Sequence, residues 1–302
     1  MRITFLLSSL KMSGGVRAIV EFANRLAIRG HQIGLVIPGD ASDADMEKEL
    51  YASVQLIESR KPRIENANAA YQFLLSWSMA QAVPLSDIVI STHTPTTASG
   101  FMSTRILSRG IPVWFYQDYL NMFGGRRVEQ LLLKNASRWH RITLTNSIYA
   151  AEELRSYAPG RIEVVRIGLS HADHFHPVPI EQRHIDKIYR ILTLTDMRPR
   201  KGMADFLDAA AIVQRELPNI RLWIVSKEEC NVQSELPFEY IHRPSRERLA
   251  ELYGMCDVFV STSWWESLGL PALEAMACAT PVVMTDSGGV SDYARPGENC
   301  LM

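Results

Sequence analysis

Apolar residues along the chain fall into short blocks separated by polar stretches rich in glycine and proline, and two spacings alternate. Continuous apolar runs at 3–7, 33–37, 87–91, 113–116 and 142–145 read as buried parallel strands. Between the first two, Val16, Ile19, Phe22, Ala23 and Leu26 recur at helical spacing, and Gly30 reads as the helix stop. Asn146-Ser147 reads as the cap of a later helix. The texture changes over 166–177, and the cycle then restarts with a strand at 190–195, a loop at 196–202, a helix from Met203 to before Pro218 and a strand at 220–225. Further strands are expected at 258–260 and 282–284, with a helix at 272–279 between them. This alternation predicts the α/β class: two Rossmann-like domains facing across a cleft, one over 1–176 and one over 177–302.

The densest chemistry lies in 257–285, DVFVSTSWWESLGLPALEAMACATPVVMT, a strand–loop–helix–strand unit. Pro271 marks the first helical turn, where its missing N–H costs nothing. The free N–H groups of such a helix start, with the macrodipole, suit a phosphate, and Gly269 lets a ligand approach the backbone. Glu274, one turn in, is placed to accept two neighbouring hydroxyls, as on a ribose, and Glu266 on the loop to accept those of a sugar. Together they describe a nucleotide-diphosphate-sugar pocket. A solvated surface helix with ordinary glutamates is the plain alternative.

Glu266 and Glu274, with SLGLPAL between them and EAMACATPVV trailing from the second, resemble the signature of retaining glycosyltransferases of family 4 (group 1, GT-B fold). The resemblance implies that Glu266 contacts the donor sugar, Glu274 the ribose, and the backbone at Gly269 and Leu270 the diphosphate. It makes Lys201, in the loop RPRKG, the counter-charge to that diphosphate. Gly14-Gly15 matches the family's N-terminal glycine loop near the donor phosphates or the acceptor, although a tight turn explains two glycines equally well. Asp118, in a run WFYQDY similar to members that use deoxyhexose donors, is the expected acceptor contact. His93, at a strand's carboxyl end, is a candidate for a sugar hydroxyl or proton transfer, set against a structural role.

The chain departs from the family at several places. Ser267 stands where glycine is common, and Ser226-Lys227 where a glycine-rich turn is usual. Thr195-Asp196 replaces Gly-Arg, so an acid falls where the diphosphate is expected; Arg198 or Arg200 is then the source of the missing positive charge, Arg198 first because it lies two residues on. Since residues 299–302 fall in an expected strand, the chain reads as a short or truncated member.

Composition narrows the rest. A formal net charge of −1 over 302 residues gives no bulk attraction to nucleic acid. Cys230, Cys256, Cys278 and Cys300 include no close metal-binding pair and read as reduced thiols. There is no signal-peptide layout and no window long enough to span a bilayer, so a cytoplasmic protein is expected, with the inner face of the membrane as an alternative place. Arg126, Arg127, Lys134, Arg138 and Arg141 surround Val128, Leu131, Leu132 and Trp139; this is either a core-facing amphipathic helix or a peripheral contact with an anionic membrane bearing a lipid-linked acceptor. Asp43-Ala44-Asp45 imitates a metal-binding pair, but an acidic helix start explains it, and no metal cofactor is expected. His171, His174 and His176 read as linker residues. The expected activity is transfer of a sugar, with retained configuration, from a nucleotide-sugar donor to a glycan, lipid-linked or small-molecule acceptor. A nucleotide-sugar epimerase of the same fold and a non-catalytic nucleotide-sugar-binding protein are the alternatives.

Overall fold

The structure, a computed structural model, describes residues 1–62, 69–120, 127–156, 160–169, 172–179, 187–196, 198–229 and 231–302. The chain forms two compact units, Met1–Ser170 and His171–Met302. The division precedes the break expected at Pro177, because Phe175 is already buried in the second unit against Tyr253, ring centroids 6.1 Å apart.

In the first unit β1 (Arg2–Leu6), α1 (Gly14–Ile28), β2 (Gln32–Pro38), α2 (Ala44–Lys48), β3 (Val54–Ser59), α3 (Ala69–Ala82) and β4 (Ile88–Ser91) are followed by α4 (Thr97–Phe101), β5 (Ile111–Tyr116), α5 (Arg127–Trp139), β6 (Ile142–Thr145), α6 (Ile148–Arg155) and β7 (Ile162–Val164). Its parallel sheet has the order β3-β2-β1-β4-β5-β6-β7. Alternation along β1 covers both faces: Ile3 and Phe5 join Val16, Ile19 and Ala23 of α1, while Leu6 packs with Val36, Val89 and Met79. The second unit runs β8 (Tyr189–Thr195), α7 (Met203–Glu216), β9 (Ile220–Ser226), β10 (Phe238–His242), α8 (Arg246–Met255), β11 (Val258–Ser261), α9 (Leu270–Ala277) and β12 (Val282–Met284). Its parallel sheet is ordered β10-β9-β8-β11-β12, with Phe206 and Ala210 of α7 packed on Ile191, Leu222 and Ile224.

Strand order reverses direction between β1 and β4 in one sheet and between β8 and β11 in the other. An open parallel sheet leaves a crevice for ligands at the carboxyl ends of such strand pairs. Gly14 follows β1, His93 follows β4, Lys201 follows β8 and Glu266 follows β11. Each unit therefore carries its candidate residues at its own switch point.

Two local expectations change. Gly14 and Gly15 form the first turn of α1 rather than a loop before it, since Ser13 caps the helix by accepting from the Val16 amide at 3.2 Å. Among the described side chains of α5 the buried ones are Leu133, Ala136 and Ser137, whereas Leu131 is 61% exposed. Leu132 and Trp139 are half-buried, and Leu131 shares the exposed surface with Lys134 and Arg138. Arg126 lies outside the described residues, as do His171 and Cys230. Asp43 caps α2 by accepting from the Asp45 amide at 3.0 Å, and Asp45 pairs with Lys48 at 3.0 Å. No helix among the described residues is long and apolar enough to cross a membrane.

His140, just beyond α5, is buried between the Ala136 carbonyl (2.6 Å from Nδ1) and the Ser91 hydroxyl (3.1 Å from Nε2). Burial lowers its pKa to about 4, helped by the nearby Arg105 charge. The unfolded chain, with an ordinary histidine, therefore binds a proton that the folded chain refuses between about pH 6.5 and pH 4. This histidine's share of stability falls as pH drops through that window, by up to about 3 kcal/mol. His140→Asn is expected to be less stable than wild type at pH 7, and the gap should narrow towards pH 4. Urea melts of both proteins at several pH values measure it, and a constant gap would contradict the assignment.

Candidate functional site

In the first unit, β4 and β5 end side by side, which brings His93 and Asp118 together. Asp118, expected as an acceptor contact, is instead 1% exposed. One of its oxygens lies 3.1 Å from His93 Nδ1, and the other accepts from the Thr94 amide (2.8 Å) and hydroxyl (2.7 Å). Burial alone would raise its pKa, but His93 and Thr94 hold it below the usual carboxylate range. The carboxylate stays charged and fixes the ring; His93 is the more exposed of the two, at 19% of its side chain. Gly15 comes up against them: a Cβ there would lie 3.5 Å from His93 Cε1 and 3.6 Å from Gln117 Oε1. Gln117 is 8% exposed, and its Oε1 meets no donor among the described residues. Sequence reasoning passed over it for its acidic neighbour, although the strand-end position was a signal for both.

In the second unit the loop after β11 and the single turn at Pro199–Lys201 are laced together by backbone. The Trp264 amide donates to the Arg200 carbonyl at 2.7 Å, and the Arg200 guanidinium donates to the Trp265 carbonyl at 2.9 Å. Their side chains converge on Glu266, whose Oε1 lies 2.6 Å from Lys201 Nζ and 3.3 Å from Arg200 Nη1. All three are largely buried, with side-chain exposures of 14–16%. Burial pushes the Glu266 pKa up, but the two cations outweigh it and hold the carboxyl below its ordinary value. Two positive charges therefore face one carboxylate, leaving the cluster attractive to a further anion. The sequence pointed to Lys201, and the structure adds Arg200.

Arg198 takes another direction. Its backbone amide (3.0 Å) and Nε (2.9 Å) donate to Asp196 Oδ1, and its outer nitrogen meets the other oxygen. Burial raises the Asp196 pKa, but Arg198 and the Lys201 charge bring it down overall. The acid that departs from the family pattern is thus matched within its own loop.

The helix start is set by Gly269, at φ 80°. A side chain there would be strained and would lie 2.8 Å from Val290 Cγ1 and 3.0 Å from the Tyr293 hydroxyl. Tyr293 donates to the Gly269 carbonyl at 2.6 Å, the same carbonyl that accepts from the Ala272 amide at 3.2 Å, which ties the cap of α9 to the segment after β12. Glu274 is half-buried further along α9 and accepts from the Tyr253 hydroxyl at 2.9 Å. Tyr253 is fully buried, and burial, then the Glu274 charge, raises its pKa well above the ordinary value. Neither tyrosine was visible as a site residue in the sequence, because each acts from an element distant along the chain.

Residues 12–173 match the model of Glycosyltransferase Family 4, and residues 180–302 that of Glycosyl transferases group 1. The chain is 35% identical over 127 residues to D-inositol 3-phosphate glycosyltransferase of Paenarthrobacter aurescens, covering 38% of this chain and 31% of that one. It is 26% identical over 182 residues to the putative glycosyltransferase EpsD of Bacillus subtilis, covering 52% and 45%. The chain thus spans under half the length of these relatives. Its fold is similar to HepE of Anabaena in complex with UDP and glucose (TM-score 0.80, 17% identity, 99% of this chain and 84% of that one). It is equally similar to sucrose-phosphate synthase of Thermosynechococcus elongatus (TM-score 0.82, 17% identity, 99% and 85%). Two Rossmann-like units, and a family 4 model that covers more than half of the sequence, lead to one conclusion: the chain belongs to glycosyltransferase family 4, in group 1, with the GT-B fold.

Proposed function

We propose that the protein transfers a sugar from a nucleotide-diphosphate-sugar donor to a glycan, lipid-linked or small-molecule acceptor, with retention of anomeric configuration and without a metal ion. The observation that carries this reading is the pairing of Lys201 and Arg200 on the single carboxylate of Glu266, beside a helix that starts at a left-handed glycine. A diphosphate leaving group gathers negative charge as the bond to the sugar breaks, and pre-placed cations and amides stabilise that charge without reorganising. In this reading Lys201, Arg200 and the Leu270 backbone take the diphosphate, Glu274 the ribose and Glu266 the sugar hydroxyls.

The acceptor oxygen bonds to the anomeric carbon on the face from which the phosphate oxygen departs, and the acceptor proton passes to that oxygen. His93, oriented by Asp118, serves a sugar hydroxyl in the first unit, beside Gly14 and Gly15. HepE in complex with UDP and glucose supports the donor class by similarity of fold. The charge of Lys201 and Arg200 does the work otherwise given to a divalent cation.

The test is a screen of UDP-, GDP-, ADP- and dTDP-sugars by thermal shift, then turnover of the stabilising donor in EDTA. Saturating donor at about 100 times its Kd stabilises by about 2.7 kcal/mol. Activity is expected to survive EDTA. Abolition by EDTA with recovery in manganese would refute the metal-free reading, and sugar interconversion without an acceptor would make the protein an epimerase.

A further inference from the structure

A cavity of about 380 Å³ opens in the second unit beside the Glu266 loop, between the start of α7, the segment after β9 and Trp264. That volume lies towards the lower end of the ~300–1,000 Å³ usual for small-molecule sites. Trp264 is 46% exposed, yet its ring is held in place. Its indole N–H donates to Asp205 at 2.7 Å, and Trp265 packs edge-on to it at 5.8 Å and 90°. A large aromatic face fixed before binding loses little freedom when a ligand stacks on it.

The rest of the wall decides which ligand. Met203, Leu207 and Val232 offer apolar surface, while Asn231 and Gln233 add amides that both donate and accept. The charges present are Asp196, matched by Arg198, and Asp205, so the lining has no surplus positive charge for a phosphate. A neutral ligand with C–H faces for the indole and many hydroxyls for amides and a carboxylate fits these walls; a nucleotide does not. We infer that this cavity binds a neutral sugar ring of a saccharide, stacked on Trp264. Trp264 and Glu266 are two residues apart, so their Cα atoms lie within about 7.6 Å, which puts the stacking residue next to the proposed reaction centre in the chain. This deepens the transfer reading, on which it rests for the saccharide's role as acceptor or product, but the binding itself stands alone.

The test is titration of the full chain with maltotriose and mannotriose, by calorimetry and tryptophan fluorescence, with glucose 1-phosphate as the anionic probe. At least one trisaccharide is expected to bind, and glucose 1-phosphate to bind more weakly at this cavity. Trp264→Ala should weaken the trisaccharide by about tenfold or more, whereas Trp264→Phe, which keeps a stacking face, should stay within about threefold. Asn231→Ala, on an exposed position, carries the test if Trp264→Ala fails to fold; it should weaken binding by about threefold. Equal affinity in wild type and both alanine variants, tighter binding of glucose 1-phosphate at the same site, or no trisaccharide bound at millimolar concentration would overturn the inference. A parallel UDP titration separates the two readings. UDP binding without trisaccharide binding removes the cavity's role alone, and trisaccharide binding through Trp264 with no nucleoside diphosphate bound removes the transfer reading alone.

Discussion

Lys201→Ala is expected to lower kcat by about 10²–10³ with any competent donor, the scale seen when one pre-placed charge-stabilising group is lost from an active site. The side chain is largely buried, 2.6 Å from Glu266, and no other lysine lies on its loop to replace it. Arg200 remains on the same carboxylate oxygen at 3.3 Å, so Glu266 is not left as an uncompensated buried charge. The loss should therefore appear mainly in transfer and far less in the unfolding midpoint. Lys201→Arg keeps the charge but replaces a compact ammonium by a planar fork, and should recover only part of the rate. Single-turnover measurements with the donor found in the screen, together with denaturant melts, check both halves. A Lys201→Ala protein with near-normal kcat would place the leaving-group charge elsewhere.

The sequence made the sheet centres legible, together with the edge strand β12, and hid the other edges. The strands β1, β2, β4, β8 and β9 are buried on both faces and read as continuous apolar runs. Those with no sequence signal, β3, β7 and β10, all lie at sheet edges. Glu239 and His242 of β10 and Glu163 of β7 face solvent, which breaks the run that identifies a strand. Leu131 of α5 escaped the sequence for a related reason: Leu131 and Leu133 are equally apolar, and only tertiary packing selects the one that is buried.

At the site, residues within one loop or one helix were readable, since Glu266, Gly269 and Glu274 share a local spacing. Partners that arrive from other elements were not. Tyr253 reaches Glu274 across 21 residues, and Tyr293 reaches Gly269 across 24. Asp118 illustrates the limit most plainly. An acid at a strand end reads as a ligand contact, and only the positions of His93 and Thr94 show that its oxygens are already engaged. Asp196 is the exception, because its partner was expected from its place in the same loop. Arg198, two residues on, folds back to meet it.

The central claim is that one loop and one helix of the second unit divide a donor between them, sugar on Glu266 and ribose on Glu274. Calorimetric titration of the bare nucleoside diphosphate into wild type, Glu266→Ala and Glu274→Ala tests it most directly. Glu274→Ala removes a carboxylate that Tyr253 holds in place, so hydrogen bonds to a charged group are lost, costing about 1.5–3 kcal/mol, roughly 10- to 150-fold in Kd. Glu266→Ala should leave nucleoside-diphosphate affinity equal to wild type or tighter, because it frees Lys201 and Arg200 for the phosphates while transfer is lost. Equal losses of bare-nucleotide affinity in the two variants, or a loss confined to Glu266→Ala, would contradict the account.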